Sequence, residues 1–402
     1  MSSFNDLRSA NVARQKEWDK DNKITLAYRG NELAGEVGEA CNVIKKIDRE
    51  RIGLPGSRAS RQQLAEELAD VVICADLIAM DEGIDLFGEA VPAKFNTTSE
   101  KVGLVTRLVT AAPRSAGAPT LITRPDVSLP ILSAHGKTEL AIRAGTVIRI
   151  DETEHAFPNP VTVPIADLAA GRDYAITLDA KGEPIATPVG ANPLNASFFA
   201  GFHFAPGGHA QARSGGDSEP AINPFSLWDL DFRPSCPDPR GMTLVEADGI
   251  RCWFDIYLLG TNHKTSGTSH RGATIADGWS LDKLDYETAK AIMAEHGKRL
   301  PTYDEFRIAA YGVTEKSAAP REPEQTCLDA PRTSRFGLMQ ATGNMHIWGT
   351  DGDPDFSRPS IFGGSWLDGA GAGSRYADLD SWPGHSDETI GARGACDHLR
   401  PV

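Results

Sequence analysis

Two pairs of carboxylates have the spacing to do chemistry together: Glu36-Val-Gly-Glu39 and Glu67-Leu-Ala-Asp70. Acids three residues apart on a helix share a face. Apolar residues fall on the same face: Leu33 and Ala40 flank Glu36, Val43 follows Glu39 by four, Leu64 precedes Glu67 by three, and Cys74 follows Asp70 by four. Carboxylates turned toward an apolar seam do not all stay ionised without a cation, because desolvation and mutual repulsion both oppose it. A hard divalent ion resolves this; Mg2+ takes oxygen ligands, keeps waters and bridges phosphates, and Mn2+ is an alternative. The chemistry expected is attack of a metal-activated water on a phosphoanhydride, with Glu36, Glu39, Glu67 and Asp70 as both metal cage and catalytic group. Either pair alone reads more simply as surface acids on an amphipathic helix; two pairs facing inward favour the cage.

These acids need helices to hold them, and residues 1–104 supply helix-period apolar positions with few prolines. Residues 105–119, including Pro113 and Pro119, read as a linker. Short β-like runs follow over 120–205, among them Leu121–Thr123, Thr146–Ile150 and Tyr174–Leu178, and predict a small β domain that connects or oligomerises. The Gly-rich stretch 206–222 reads as a second linker. Residues 223–402 hold six of the seven tryptophans, which implies a core of their own. In this region Ile250–Leu258 alternates like a strand with two unlike faces, Asp285–Glu295 reads as a helix closed by Gly297, and Thr302-Tyr-Asp-Glu305 is a capping box. The fold class predicted is multidomain: an all-α bundle, a small β domain and an α+β domain.

The formal net charge of -14 in 402 residues argues against nucleic-acid binding. The start of the sequence lacks the basic and apolar regions of a secretion signal, and no apolar run is long enough to cross a bilayer. Six scattered cysteines without paired spacing point to reduced thiols. The expected location is the cytoplasm of a bacterial host or a virion.

Two resemblances add to this reading. Arg29–Lys46, Leu64–Val72 and Lys94–Lys101 together resemble the MazG family of nucleotide pyrophosphohydrolases in its short phage form. Its E-x-x-E…E-x-x-D motif falls on Glu36, Glu39, Glu67 and Asp70. The resemblance implies Mg2+-dependent hydrolysis of nucleoside triphosphates to monophosphate and pyrophosphate, a helical homo-oligomer, and nucleotide contacts from Lys94 and Asn96. Farther on, Arg299–Phe306, Gly337–Trp348, Phe362-Gly-Gly-Ser-Trp-Leu-Asp368 and Ile390–Arg393 resemble the C-type-lectin-like fold of the formylglycine-generating-enzyme superfamily. They are closer still to the variable ligand-binding proteins of diversity-generating retroelements, phage tropism determinants among them. No cysteine lies between Leu367 and Ser381, and the histidines lack the spacing of an iron site, so this domain reads as non-catalytic.

Carried over residue by residue, the resemblance implies a ligand-contacting, diversified surface of Leu367, Asp368, Tyr376, Asp378, Asp380, Ser381, His385, Asp387 and Glu388. Trp366, Gly369, Gly371, Gly373, Ser374, Arg375, Trp382, Pro383 and Arg393 form its frame. A plain Gly-rich surface loop explains the same string. Asp351, Asp353 and Asp355 have the spacing of a Ca2+ loop, which Asp-Gly and Asp-Pro turns also produce without an ion. The leading expectation is a pyrophosphatase fused to a ligand-display domain, with nucleoside triphosphates and a protein or surface ligand as partners. The alternative is a non-enzymatic receptor-binding protein whose helical domain only oligomerises.

Overall fold

The computed structural model describes residues 4–20, 23–84, 86, 90–102, 104, 121–150, 153–190, 194, 197–353 and 358–399. The chain divides into two compact units, residues 1–113 and 114–401. The expected linker 105–119 lies outside the described residues.

The first unit is helical: α1 (Phe4–Trp18), α2 (Leu26–Arg51), α3 (Arg61–Asp81) and α4 (Val91–Lys101). The starts of α2 and α3 are set by side chains that satisfy free N–H groups: Thr25 accepts from Tyr28, and Ser60 and Gln63 form a reciprocal capping box. The α2 and α3 helices pack along Ala40, Val43, Leu77 and Ala79, an apolar seam of mostly small residues. Polar groups reinforce it. Asp76 is fully buried and accepts from Arg8 and Asn11, while buried Arg29 bonds Glu32, Asp81 and Gln15. Val37, Ile44 and Leu68 remain exposed on these helices.

The second unit begins with two three-stranded sheets: Leu121–Thr123, Thr146–Ile150 and Thr153–Phe157; and Leu132–His135, Glu139–Ile142 and Val161–Thr162. A larger antiparallel sheet follows, in the order Ala221–Ile222, Ala200–Ala205, Arg172–Leu178, Pro184–Val189, with Trp228–Asp229 also paired to Ala200–Ala205. Its core joins Ile131, Leu140, Ile148, Tyr174, Ile176 and Phe202.

The β region therefore runs past 205, and 206–222 is not a linker. Ala210 N–H donates to Ser334 O, Gly215 N–H to Gly312 O and Gly216 N–H to Ala330 O. A Cβ on Gly216 would stand 2.0 Å from Gly208 O, so glycine here serves close packing of backbone on backbone.

The lectin-like part has two sheets. In one, Ile250–Asp255 lies between Met242–Ala247 and Ala395–Asp397. In the other the order is Ala377–Asp378, Ser360–Phe362, His346–Gly349, Ile390–Gly391, the last pair parallel. Helices Tyr286–Glu295 and Tyr303–Ala309 start where the sequence predicts, capped by Asp285 and by the Thr302–Glu305 box. Phe254, Leu258, Phe306, Leu338, Ile347 and Phe362 share one core.

Candidate functional site

In the helical unit the acids come together in part. Carboxylate oxygens of Glu36, Glu67 and Asp70 lie within 4.8 Å of one another. Burial first, then the charges of Asp70, Glu39 and Glu67, push the Glu36 carboxyl above its usual range. Glu39 is exposed and outside the group, so the four-residue cage reduces to three. The helical wheel explains this: Arg29, Ala40 and Val43 centre the buried face of α2 near Glu36, and Glu39 sits about 60° away at its far edge. Lys94 is exposed and Asn96 half-buried on α4.

The loops of the lectin-like part are tied down at many points. Gly363 and Gly364 turn with φ of 84° and 73°, and a Cβ on Gly364 would meet Ala372 Cα at 2.8 Å. Asp368 accepts from Ser365 N–H at 2.6 Å and Ser365 Oγ at 2.7 Å, and its Oδ2 lies 3.2 Å from His346 Nε2. Burial lowers the proton affinity of His346, whose ring lies 5.3 Å from that of Tyr376. Ser374 N–H and Oγ donate to Glu315. Asp378 accepts from Asp380 N–H at 3.0 Å, and Asp380 pairs with Arg358 at 3.2 Å. Asp387 accepts from Thr389 N–H at 2.8 Å and Thr389 Oγ1 at 2.7 Å, and stands 2.8 Å from His385 Nε2.

This divides the expected contact set. Asp368 and Asp387 are loop ties: turn acids that the sequence pattern offers as ligand contacts are occupied by their own backbone. Ser381 is buried, its N–H donating to Pro359 O, and leaves the surface set. Leu367, Tyr376, Asp378, Asp380, His385 and Glu388 stay exposed or half-exposed.

Trp382, expected in the frame, is instead 68% exposed; Leu367 at 60% and Leu379 at 47% are exposed as well. Sequence reasoning also missed Trp279, 67% exposed; its neighbour Gly278 donates to Asp387 O at 2.9 Å. The aromatic ring in a Gly-Trp-Ser turn was the available signal. Behind these loops Arg393 is fully buried, as a frame residue should be. Its Nη1 donates to Asp255 O and Ile256 O at 2.7 Å each, and its Nη2 to Met339 O at 2.6 Å and Gln340 O at 3.3 Å.

Asp351 engages both carboxylate oxygens with Tyr303 N–H at 2.8 Å, at the start of a helix, where the donor competes with any Ca2+. Asp353 N–H donates to Leu379 O, and Asp355 lies outside the described residues. A cleft of about 650 Å3 elsewhere in this unit is lined by Asp173, Asp238, Arg240 and Lys298, whose charges are paired: Asp173 with His203, Asp238 with Arg240, Lys298 with Asp255.

Comparison with known proteins places these loops in context. Residues 130–229 match the family described as Mtd second domain. The chain is 34% identical over 328 residues to the tail fiber receptor-binding protein of Bordetella phage BPP-1, covering 70% of this chain and 85% of that relative. Among solved structures it is similar to the Major Tropism Determinant U1 variant, with a TM-score of 0.64, 33% identity, and 70% and 86% of the two chains covered. The M1 variant gives a TM-score of 0.65 at 33% identity, covering 72% and 88%. These relatives are receptor-binding proteins, not nucleotide pyrophosphatases. The expectation that the chain is a triphosphate-hydrolysing enzyme is thereby overturned.

Proposed function

The chain belongs to the major tropism determinant family of phage tail-fibre proteins, and from that premise we propose that the loops around Leu367, Tyr376, Leu379, Trp382 and His385, with Trp279 beside them, bind a ligand on the host cell surface. The observation that carries this is the exposure of Leu367, Leu379 and Trp382 on one stretch of tied-down loop. Large apolar side chains grouped in water mark contact surfaces, and tryptophan is the residue most enriched at binding hot spots. A frame fixed by Arg393, Asp368 and Asp387 lets the side chains it carries change without loss of fold. That is what a diversified surface needs.

The protein acts on the virion, and the helical unit gathers copies through Val37, Ile44 and Leu68, so that weak single contacts add by avidity. Glu36, Glu67 and Asp70 fit a divalent cation, Mg2+ or Mn2+, which would neutralise their repulsion and clamp α2 to α3.

The test is adsorption of purified full-length protein to a panel of bacterial cells. Trp382→Ala with Leu379→Ser should cut adsorption at least about tenfold while the melting temperature moves by under about 2 °C. Undiminished adsorption by this double variant would place the contact surface elsewhere. An adenine-rich near-copy of the coding sequence for the last loops, beside a reverse-transcriptase gene, would mark the surface as diversified.

A further inference from the structure

The segment 233–236 runs antiparallel to the end of the chain. Ser235 N–H donates to Asp397 O at 2.9 Å, Leu399 N–H donates to Arg233 O at 2.8 Å, and Pro234 pairs with His398. Bonds on either side of the 234–398 pair make it a non-hydrogen-bonded position, where facing side chains come closest. The ladder ends there, since Ala395 pairs with Arg299 on that edge, but Cys236 still lies against Cys396. Cys236 N–H donates to Cys396 Sγ at 3.1 Å, and Ser235 Oγ lies 3.1 Å from the same sulfur. A backbone N–H this close to the other cysteine's sulfur leaves the two sulfurs able to meet by side-chain rotation, as a disulfide requires. The other neighbours of Cys396 do not compete. Cys252 faces Asp397, on the opposite side of the strand, and Trp253 faces Cys396.

We propose that Cys236 and Cys396 are a disulfide site, closed by a small peroxide-class oxidant in the folded protein. The inference rests on the fold alone and not on the receptor-binding reading.

The two thiols are poised unequally. The nearby Cys236 thiol, with Ser235 and the Cys236 N–H, brings Cys396 down to about 6 against the effect of burial, while the same proximity and burial hold Cys236, whose thiol donates to Asp238 O at 3.3 Å, well above the usual thiol range. Cys396 is thus the nucleophile. Its thiolate attacks hydrogen peroxide; an S–O bond forms, the O–O bond breaks, and hydroxide leaves to give the sulfenic acid. The Cys236 sulfur then attacks the Cys396 sulfur. The S–S bond forms, the S–O bond breaks, and the Cys236 proton leaves with the hydroxyl as water. Two thiols are oxidised, one peroxide is reduced, and two waters result. Both sulfurs are nearly fully buried, so the oxidant must be small.

The test uses the full chain with its two exposed cysteines removed (Cys41→Ser, Cys327→Ser). After treatment with hydrogen peroxide and alkylation of remaining thiols, peptide mass mapping should find Cys236 linked to Cys396. Closing a loop between residues 160 apart should raise the melting temperature by about 5–10 °C, reversed by a phosphine reductant. Adding Cys236→Ala should stop the reaction at a Cys396 sulfenic acid that a dione reagent traps. Unreacted Cys396, over-oxidation of Cys396 with Cys236 left as thiol in the parent, or a linked protein that melts lower would each overturn the assignment.

Discussion

Arg393→Met tests whether the loops sit on a frame independent of them. The guanidinium is completely buried and gives four hydrogen bonds to carbonyls from two distant segments, 255–256 and 339–340. Burial lowers its pKa to about 10, so it is charged at neutral pH and carries a desolvation penalty for that charge. Methionine fills similar volume without donors. Ile256 O keeps the N–H of Met339, while the others lose this donor. Charge-assisted bonds contribute about 1.5–3 kcal/mol each, and relief of the guanidinium's desolvation offsets part of the total. The net loss expected is about 3–5 kcal/mol, seen as a fall of roughly 10 °C in melting temperature or a matching shift of the urea midpoint at unchanged slope. Arg393→Lys should recover only part of it, since an ammonium does not fork between two segments. A loss below about 1 kcal/mol would refute the reasoning: water or a rearranged backbone would then be satisfying those carbonyls.

Lys298→Met should cost about 3–5 kcal/mol in urea unfolding, because Asp255 is fully buried and relies on that ammonium at 2.5 Å; adding Asp255→Asn should restore part of it. His398, its ring nearly coplanar with that of Trp253 and accepting the indole N–H at 2.9 Å, is held near a pKa of about 4 by burial and then by Arg251. It is neutral when folded, whereas the unfolded chain binds the proton from about pH 6.5. Stability should therefore be full above pH 6.5, fall by about 1–2 kcal/mol, after solvent screening, as pH drops toward 4, and level off below; melts of wild type and His398→Gln across that range should differ in slope. For the helical unit, millimolar Mg2+ should raise the melting temperature of wild type and not of Glu67→Gln; equal response by both would remove the cation from Glu36, Glu67 and Asp70.

Local signals carried much of the fold. Asp285, the Thr302–Glu305 box and the runs 146–150 and 174–178 act within one element, so their short-range chemistry is written in sequence. Long-range packing is not. Glycines in 206–217 look like a tether in composition, and only the carbonyls that press against them show the packed path. Asp368 and Asp387 have the type and exposure pattern of contact residues until their turns supply the donors. Trp382 is expected inside because large aromatics usually are, and nothing local to Ser381-Trp382-Pro383 tells that its ring stays in water. The Cys236–Cys396 pair, 160 residues apart, has no local signature at all.

The pairing of Ala395–Asp397 with Ile250–Asp255 also sets a timetable. Its partners are roughly 140 residues apart, and at ordinary rates of translation the earlier strand waits about 7–30 s for the later one to be made. Over that interval the edge of Ile250–Asp255 that the last strand will cover is a bare row of N–H and C=O groups, open to any other nascent chain. The loops 365–388 are synthesised during the same wait. Changes in them that leave the finished protein's melting temperature untouched can still lower the fraction of chains that reach it. Changes in these loops are then filtered by yield at the ribosome as well as by the stability of the finished fold.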